Sequence, residues 1–311
     1  MGKILGILPH SIGGRLTTSS ILDGFRQNGF EVVVYDELKD DNFSDFLKDD
    51  YRFIVGYDFS PVKLKIDYDL KIPCIAYFSD VIQDKTSGVG YKEYFKYLKN
   101  SDIFVFYWDR VLAKKDGFNY QAHFVNTEIY KNYLTPIHDV MFMGRLDTDL
   151  RLNIYLELNK KLSNLSFRYY GIEKHYLDAL SRCQKDKDTK ILEQTYCGFI
   201  DNEVDMARVI NEVKIVYNIN AQGVSSLNYR SIQTLACERL LISDVRDELD
   251  IFENKIPTYE NIDDLVKKIN YFLQNKKEYD KITSFSRNII EKELSSKVCI
   301  EKMLSILSEK V

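Results

Sequence analysis

The sequence predicts two α/β domains in tandem, each built on a parallel sheet. Short apolar runs that suit strands buried on both faces alternate with stretches of helical periodicity. That alternation opens at Lys3 and opens again at Asp139. The chain has 311 residues, and at roughly 150 residues per domain the length fits two. With 45% hydrophobic residues, each half can fill a core without a disulfide or metal staple.

The first strand is Lys3 to Pro9, followed by a polar loop with Gly13 and Gly14. Leu16, Ser20, Ile21, Gly24 and Phe25 fall at helical spacing, and Asn28-Gly29 is a stop signal. Phe30 to Tyr35 reads as the next strand, which completes a βαβ unit and implies parallel pairing. Phe53–Gly56, Cys74–Phe78 and Ile103–Tyr107 continue the sheet. Between the last two, Tyr91, Tyr94, Phe95 and Leu98 share a helix face, with Lys92, Lys96 and Lys99 elsewhere. Residues 126–136 show neither period and carry Pro136, so the boundary is drawn there, with domains at 1–132 and 133–311.

The second domain begins with strand Val140–Met143 and its exit turn Gly144-Arg145. A helical stripe over 152–165, strands Phe167–Tyr170, Ile215–Asn218 and Leu240–Ser243, and a weak strand near Pro257 follow. Asn261 or Asp263 caps a helix bearing Ile262, Leu265, Val266, Ile269, Phe272 and Leu273. A last amphipathic helix closes the chain.

Composition narrows the function classes. Five scattered cysteines without CxxC spacing and only four histidines argue against a disulfide framework or zinc site. A net charge of −4 argues against a surface built to grip nucleic acid. The apolar runs Ile4–Leu8 and Ile103–Trp108 are too short for a signal peptide or a span of about 20 residues. A soluble cytoplasmic protein with no cofactor is expected.

Parallel sheets bind ligands beyond the carboxyl ends of their strands, where helix N-termini face anions. Three loops qualify. In the first, Gly13 and Gly14 let backbone approach a ligand, with His10 and Arg15 beside them, or else make a tight turn with a surface histidine; the spacing is not GxGxxG. In the second, Arg145 and Arg151 flank a helix start and can clamp a diphosphate, or else stand in solvent beside a helix capped by Asp147 or Asp149. The pair Asp147 and Asp149 also has a metal-holding form, which is not adopted because such pairs recur at Asp67 and Asp69 and at Asp186 and Asp188. The third loop leads into a helix near Asn228, with Tyr229, Arg230, Gln233 and Thr234 around its first turns. Its free N–H groups and Arg230 suit phosphate, and Gln233 suits ribose hydroxyls.

The segment YRSIQTLACERLLISD, Tyr229 to Asp244, resembles the R-x-F-E-A-L-A-C-G-x-x-L-L-x-T-D block of group 1 GT-B glycosyltransferases, in particular the spore-maturation CgeB-like branch. Asp139 to Arg145, Tyr196 to Ile200 and Asn261 to Leu265 match further blocks in order. The resemblance is strongest over 139–275 and architectural over the first 130 residues. It implies two Rossmann-like domains whose parallel sheets face each other across a cleft, the last helix packing back on the first. It also implies metal-independent transfer of a sugar from a nucleotide-diphosphate sugar, bound by the second domain, to a glycan, lipid-linked or protein acceptor on the first. Arg145 and Arg230 then face the diphosphate; Gln233 stands in place of a ribose-holding glutamate, and Glu238 in place of a glycine.

The family implies a retaining hexosyltransferase, which relies on positioning and charge stabilisation. His10 and Asp80, at presumed strand ends of the first domain, are the candidate catalytic side chains. The Tyr91 to Lys99 stretch is a candidate for peripheral contact with the inner face of a membrane, against an ordinary amphipathic helix. A sugar-nucleotide epimerase and a nucleotide-sugar-binding relative without turnover are the alternatives.

Overall fold

The computed structural model describes residues 2–39, 42–80, 82, 93–219 and 225–308. It contains two compact units, one comprising Met1–Thr127, Gln222–Tyr229 and Glu291–Val311, the other Glu128–Ala221 and Arg230–Ile290. Residues 126–136 hold neither helix nor strand.

In the first unit, β1 (Lys3–Leu8), β2 (Glu31–Asp36), β3 (Phe53–Tyr57), β4 (Cys74–Phe78), β5 (Ile103–Tyr107) and β6 (Asn119–Tyr120) form one sheet in the order 2-1-3-4-5-6. All its pairings are parallel. Every residue of β3, β4 and β5 is buried, which is why these strands read as unbroken apolar runs. Because β1 lies between β2 and β3, the loops after β1 and β3 flank the point where the strand order reverses. The helices are α1 (Ile12–Gln27), α2 (Ser60–Asp67) and α3 (Arg110–Asp116). Asp109 caps α3, its Oδ1 accepting from the Val111 and Leu112 N–H groups at 3.0 Å. The expected helix around 91–99 is instead a 3-10 turn over Phe95–Lys99, with Tyr91 and Lys92 outside the described residues.

In the second unit, β7 (His138–Met143), β8 (Phe167–Tyr170), β9 (Val213–Asn218), β10 (Leu240–Asp244) and β11 (Thr258–Tyr259) lie in the order 11-10-9-7-8, again all parallel. The order reverses between β7 and β9. Helices α4 (Asp149–Lys161), α5 (Glu173–Arg182), α6 (Asp186–Thr195), α7 (Glu203–Asn211), α8 (Tyr229–Ala236), α9 (Ile262–Gln274) and α10 (Lys276–Glu293) accompany these strands, with Tyr229, the first residue of α8, and the end of α10 from Glu291 assigned to the first unit. Thr148, rather than either neighbouring aspartate, caps α4 by accepting from the Arg151 N–H at 3.3 Å. Asn261 caps α9 through the Asp264 N–H at 3.0 Å. Aromatic side chains fill the core: Phe142 lies 5.3 Å from Tyr217 and 6.0 Å from Tyr169, ring centre to ring centre.

The last helix, α11 (Ser296–Ser308), packs on α1 in the first unit. Asn28 Nδ2 donates to the Lys297 carbonyl at 3.0 Å. A Cβ at position 24 would stand 2.5 Å from the Ser296 carbonyl oxygen, so Gly24 permits the close approach. No described helix is long and apolar enough to cross a membrane.

Candidate functional site

The exits of β7 and β9 meet at the order reversal of the second sheet. Gly144, with φ +147°, turns the chain out of β7 in a backbone conformation that L side chains rarely adopt. A Cβ there would also stand 3.3 Å from Arg230 Nη2, so Arg230 lies close over this turn. Arg151 is buried, and its guanidinium donates to the Arg145 carbonyl at 3.3 Å, the Asp147 carboxylate at 3.1 Å and the Ile219 carbonyl at 3.1 Å. It therefore ties the β7 exit to the β9 exit. Of the two arginines expected to clamp a diphosphate, Arg151 is occupied in this way while Arg145 is 43% exposed at its side chain, with Asp147 3.3 Å away.

Arg230 differs from both. Its Nε is buried and finds no acceptor among the described residues. Burial first, then the charges of Arg151 and Arg145, pull its pKa down to about 10, so it stays protonated at neutral pH. Burial pushes the Asp147 carboxyl up, but Arg145 and Arg151 outweigh that and hold it below the usual range. Arg145 and Arg151 share the ionised Asp147 carboxylate and Arg230 adds a third guanidinium, which leaves a net charge of about +2 on this constellation. Asp149 is paired with Arg182 at 3.0 Å. Among the described residues, no group of three or more His, Cys, Asp or Glu side chains is arranged around a metal position.

One turn further along α8, Gln233 is fully buried. Its Nε2 donates to the Tyr130 hydroxyl at 2.6 Å, and its Oε1 receives no hydrogen bond from the described residues. Arg287 donates to the carbonyls of Tyr130, at 2.5 Å, and Ala236, at 2.6 Å, bracing both ends of this contact. Asn228 and Tyr229 lie in the 222–229 segment, which belongs to the first unit. There the Tyr229 hydroxyl is 2.7 Å from Ser20 Oγ, and its ring centre is 5.5 Å from that of His123.

At the reversal point of the first sheet, Arg15 and Asp36 form two parallel hydrogen bonds of 2.6 and 2.7 Å. That pairing holds the Asp36 carboxyl at about 2. Gly13 is open, whereas Gly14 abuts Tyr57, whose ring a Cβ would meet at 2.7 Å. His10 has an exposed ring, with Nε2 4.0 Å from the Glu37 carboxylate, and its backbone N–H donates to Glu37 at 3.0 Å. Asp80 is better held: the Tyr57 hydroxyl donates to its Oδ2 at 3.1 Å while accepting from Ser79 Oγ at 2.8 Å.

Residues 152–305, just under half of the chain, match the family model described as glycosyl transferase-like. Solved structures resemble the chain over nearly its full length. They include a sucrose-phosphate synthase from Thermosynechococcus elongatus (TM-score 0.70, 11% identity, 99% of each chain covered). A glycosyltransferase from Rickettsia africae gives 0.69 at 15% identity, covering 99% of this chain and 98% of its own. The Anabaena HepE protein in complex with UDP gives 0.68 at 11% identity, covering 99% and 100%. The chain has the GT-B fold. No curated protein matches it by sequence, and the match to the broad family does not single out the CgeB-like branch.

Within this GT-B chain, the loops that the sequence singled out do sit at strand exits, but their partners were not legible. Tyr130 lies in a stretch without periodicity, and Tyr57 reads only as the end of a strand. Neither carries a local signal that it holds Gln233 or Asp80.

Proposed function

We propose that the chain transfers a sugar from a nucleoside-diphosphate sugar, held by the second unit, to an acceptor hydroxyl. The observation that carries this is the unbalanced guanidinium cluster of Arg145, Arg151 and Arg230 at the β7 and β9 exits. In the reaction the bond from the anomeric carbon to the diphosphate breaks, and the acceptor oxygen bonds to that carbon as it loses its proton. The departing diphosphate gains negative charge, and prepositioned cations stabilise it most where water is excluded. Arg230 and Arg145 are assigned to the diphosphate, with Arg151 setting the loops that present them. Two net positive charges do in this reading what a divalent ion does elsewhere, so transfer is metal-independent. Retention of configuration and a hexosyl donor follow from the family resemblance, and the Anabaena neighbour's complexes with UDP and UDP-glucose favour a uridine donor.

Asp80, oriented by Tyr57, is the candidate for the acceptor hydroxyl, with His10 as the more exposed alternative. A glycan, protein or lipid-linked acceptor fits, and the last of these requires peripheral contact with a membrane. A donor-binding protein without turnover is the second reading. It is favoured by Gln233, a neutral and enclosed amide where the family has a glutamate.

Incubation with a panel of nucleotide sugars, with and without glycan, peptide and lipid-linked acceptors, tests the proposal by mass analysis of products. Donor-selective release of nucleoside diphosphate with a glycosylated acceptor supports transfer. Tight donor binding with every donor left intact selects the second reading, and no interaction with any donor overturns both.

A further inference from the structure

Several lysines of the described chain sit against a carboxylate, as Lys63 does on Asp67, Lys160 on Asp188 and Lys268 on Asp264, and others do not. On one edge of the first unit four of the latter lie together. Lys96, Lys99, Lys114 and Lys115 form no ion pair among the described residues. Lys96 lies 4.9 Å from the Tyr97 ring centre and Lys99 lies 4.3 Å from that of Phe118. Lys99 also donates to the Asp116 carbonyl, which brings the Phe95–Lys99 turn against the end of α3. Arg110 lies 5.4 Å from the Tyr120 ring centre on the edge strand β6 and is not counted with these lysines.

The apolar residues of this edge are arranged with the cations. Along α3, Val111, Lys114 and Lys115 are exposed at helical spacing while Leu112 and Ala113 are buried. Phe95 is 40% exposed and Val111 43%. Between residues 93 and 120 the acids are Glu93, Asp102, Asp109 and Asp116; Asp109 is buried and Asp102 holds Lys65 at 2.7 Å. Four lysines against Glu93 and Asp116 leave about +2 on an edge of a chain whose net charge is −4.

We infer that this edge docks on an anionic lipid surface. Its lysines meet the headgroups, and Phe95 and Val111 enter the boundary with the acyl chains. The two apolar side chains decide between partners, since a nucleic-acid backbone rewards the lysines but offers Val111 nothing. The inference deepens the transferase reading by favouring a lipid-linked acceptor, yet the docking itself is measurable without turnover.

The test is co-sedimentation of the full chain with vesicles of phosphatidylcholine alone and with about one-third phosphatidylglycerol. Partition at least ~10-fold in favour of the anionic vesicles, abolished at about 0.5 M salt, is expected. The double variant Lys114→Glu and Lys115→Glu loses at least ~10-fold of that partition, and Phe95→Ser a few-fold. Both should keep wild-type circular dichroism and UDP affinity. Equal partition to both vesicles, or full binding by the double variant, overturns the inference, as does tighter binding to an oligonucleotide than to anionic vesicles. Failure of the wild-type chain to bind UDP tells against the transferase reading alone.

Discussion

Arg15 meets Asp36 through two parallel hydrogen bonds, whereas Arg230 meets two other guanidiniums. The first arrangement is complete without a ligand. Asp36 is buried and its carboxyl is held at about 2 against an ordinary 3.8, a difference on the order of 2 kcal/mol. A carboxyl with a depressed folded pKa contributes stability above its unfolded value and loses it as pH falls through the folded one. The Arg15→Ala variant should therefore lose about 3 kcal/mol at pH 7, because it strands a buried carboxylate. In urea unfolding the gap to wild type should hold down to about pH 4 and narrow toward pH 2. A gap of the same size at about pH 2 would contradict this role. The sequence placed Arg15 in an acceptor loop because Asp36 lies 21 residues away. Only the parallel register that puts Leu8 opposite Asp36 brings the two strand exits together.

Among the elements, the turn after α8 carries an unusual residue. Glu238 stands where the glycosyltransferase block it resembles has glycine, and its φ of +53° lies in the left-handed region. The helix end is kept, with a side chain in a conformation that costs roughly 1 kcal/mol. Glu238→Gly should raise stability by about 0.5–1 kcal/mol, read as a higher melting temperature with unchanged UDP affinity. A lower melting temperature would show that the carboxylate has a supporting role. Legibility at this scale followed burial. Strands β3, β4 and β5 stood out because both their faces are covered. Helices α5 and α6 did not, since Ala179 alone is buried in α5, and α6 buries only Asp188, Leu192 and Thr195. A face of one to three buried positions carries too little apolar content to stand out. The short α2 and the two-residue β6 offer too few positions for any period to show.

For the whole molecule, the repeated α/β alternation was enough to predict the architecture, since each parallel sheet needs its crossovers. The resemblance places the last helix on the first domain, and residues 291–311 belong with the first unit; residues 222–229 do too, and no sequence signal marks that return. The hydrogen bonds that hold them, from the Ser225 N–H to Asp109 at 2.9 Å and from the Ser296 N–H to the Val125 carbonyl at 2.8 Å, span more than a hundred residues. The central claim is that the cations at the β7 and β9 exits form a nucleoside-diphosphate site. Calorimetric titration of UDP into the wild-type chain and Arg230→Met, with melting temperatures of both, tests it most directly. Removing a poorly paired, partly enclosed cation should leave the free variant at least as stable as wild type. It should also weaken UDP by roughly 10- to 100-fold and remove most of the ligand-induced rise in melting temperature. Equal UDP affinity in the two proteins would contradict the assignment of Arg230, and with it the donor site.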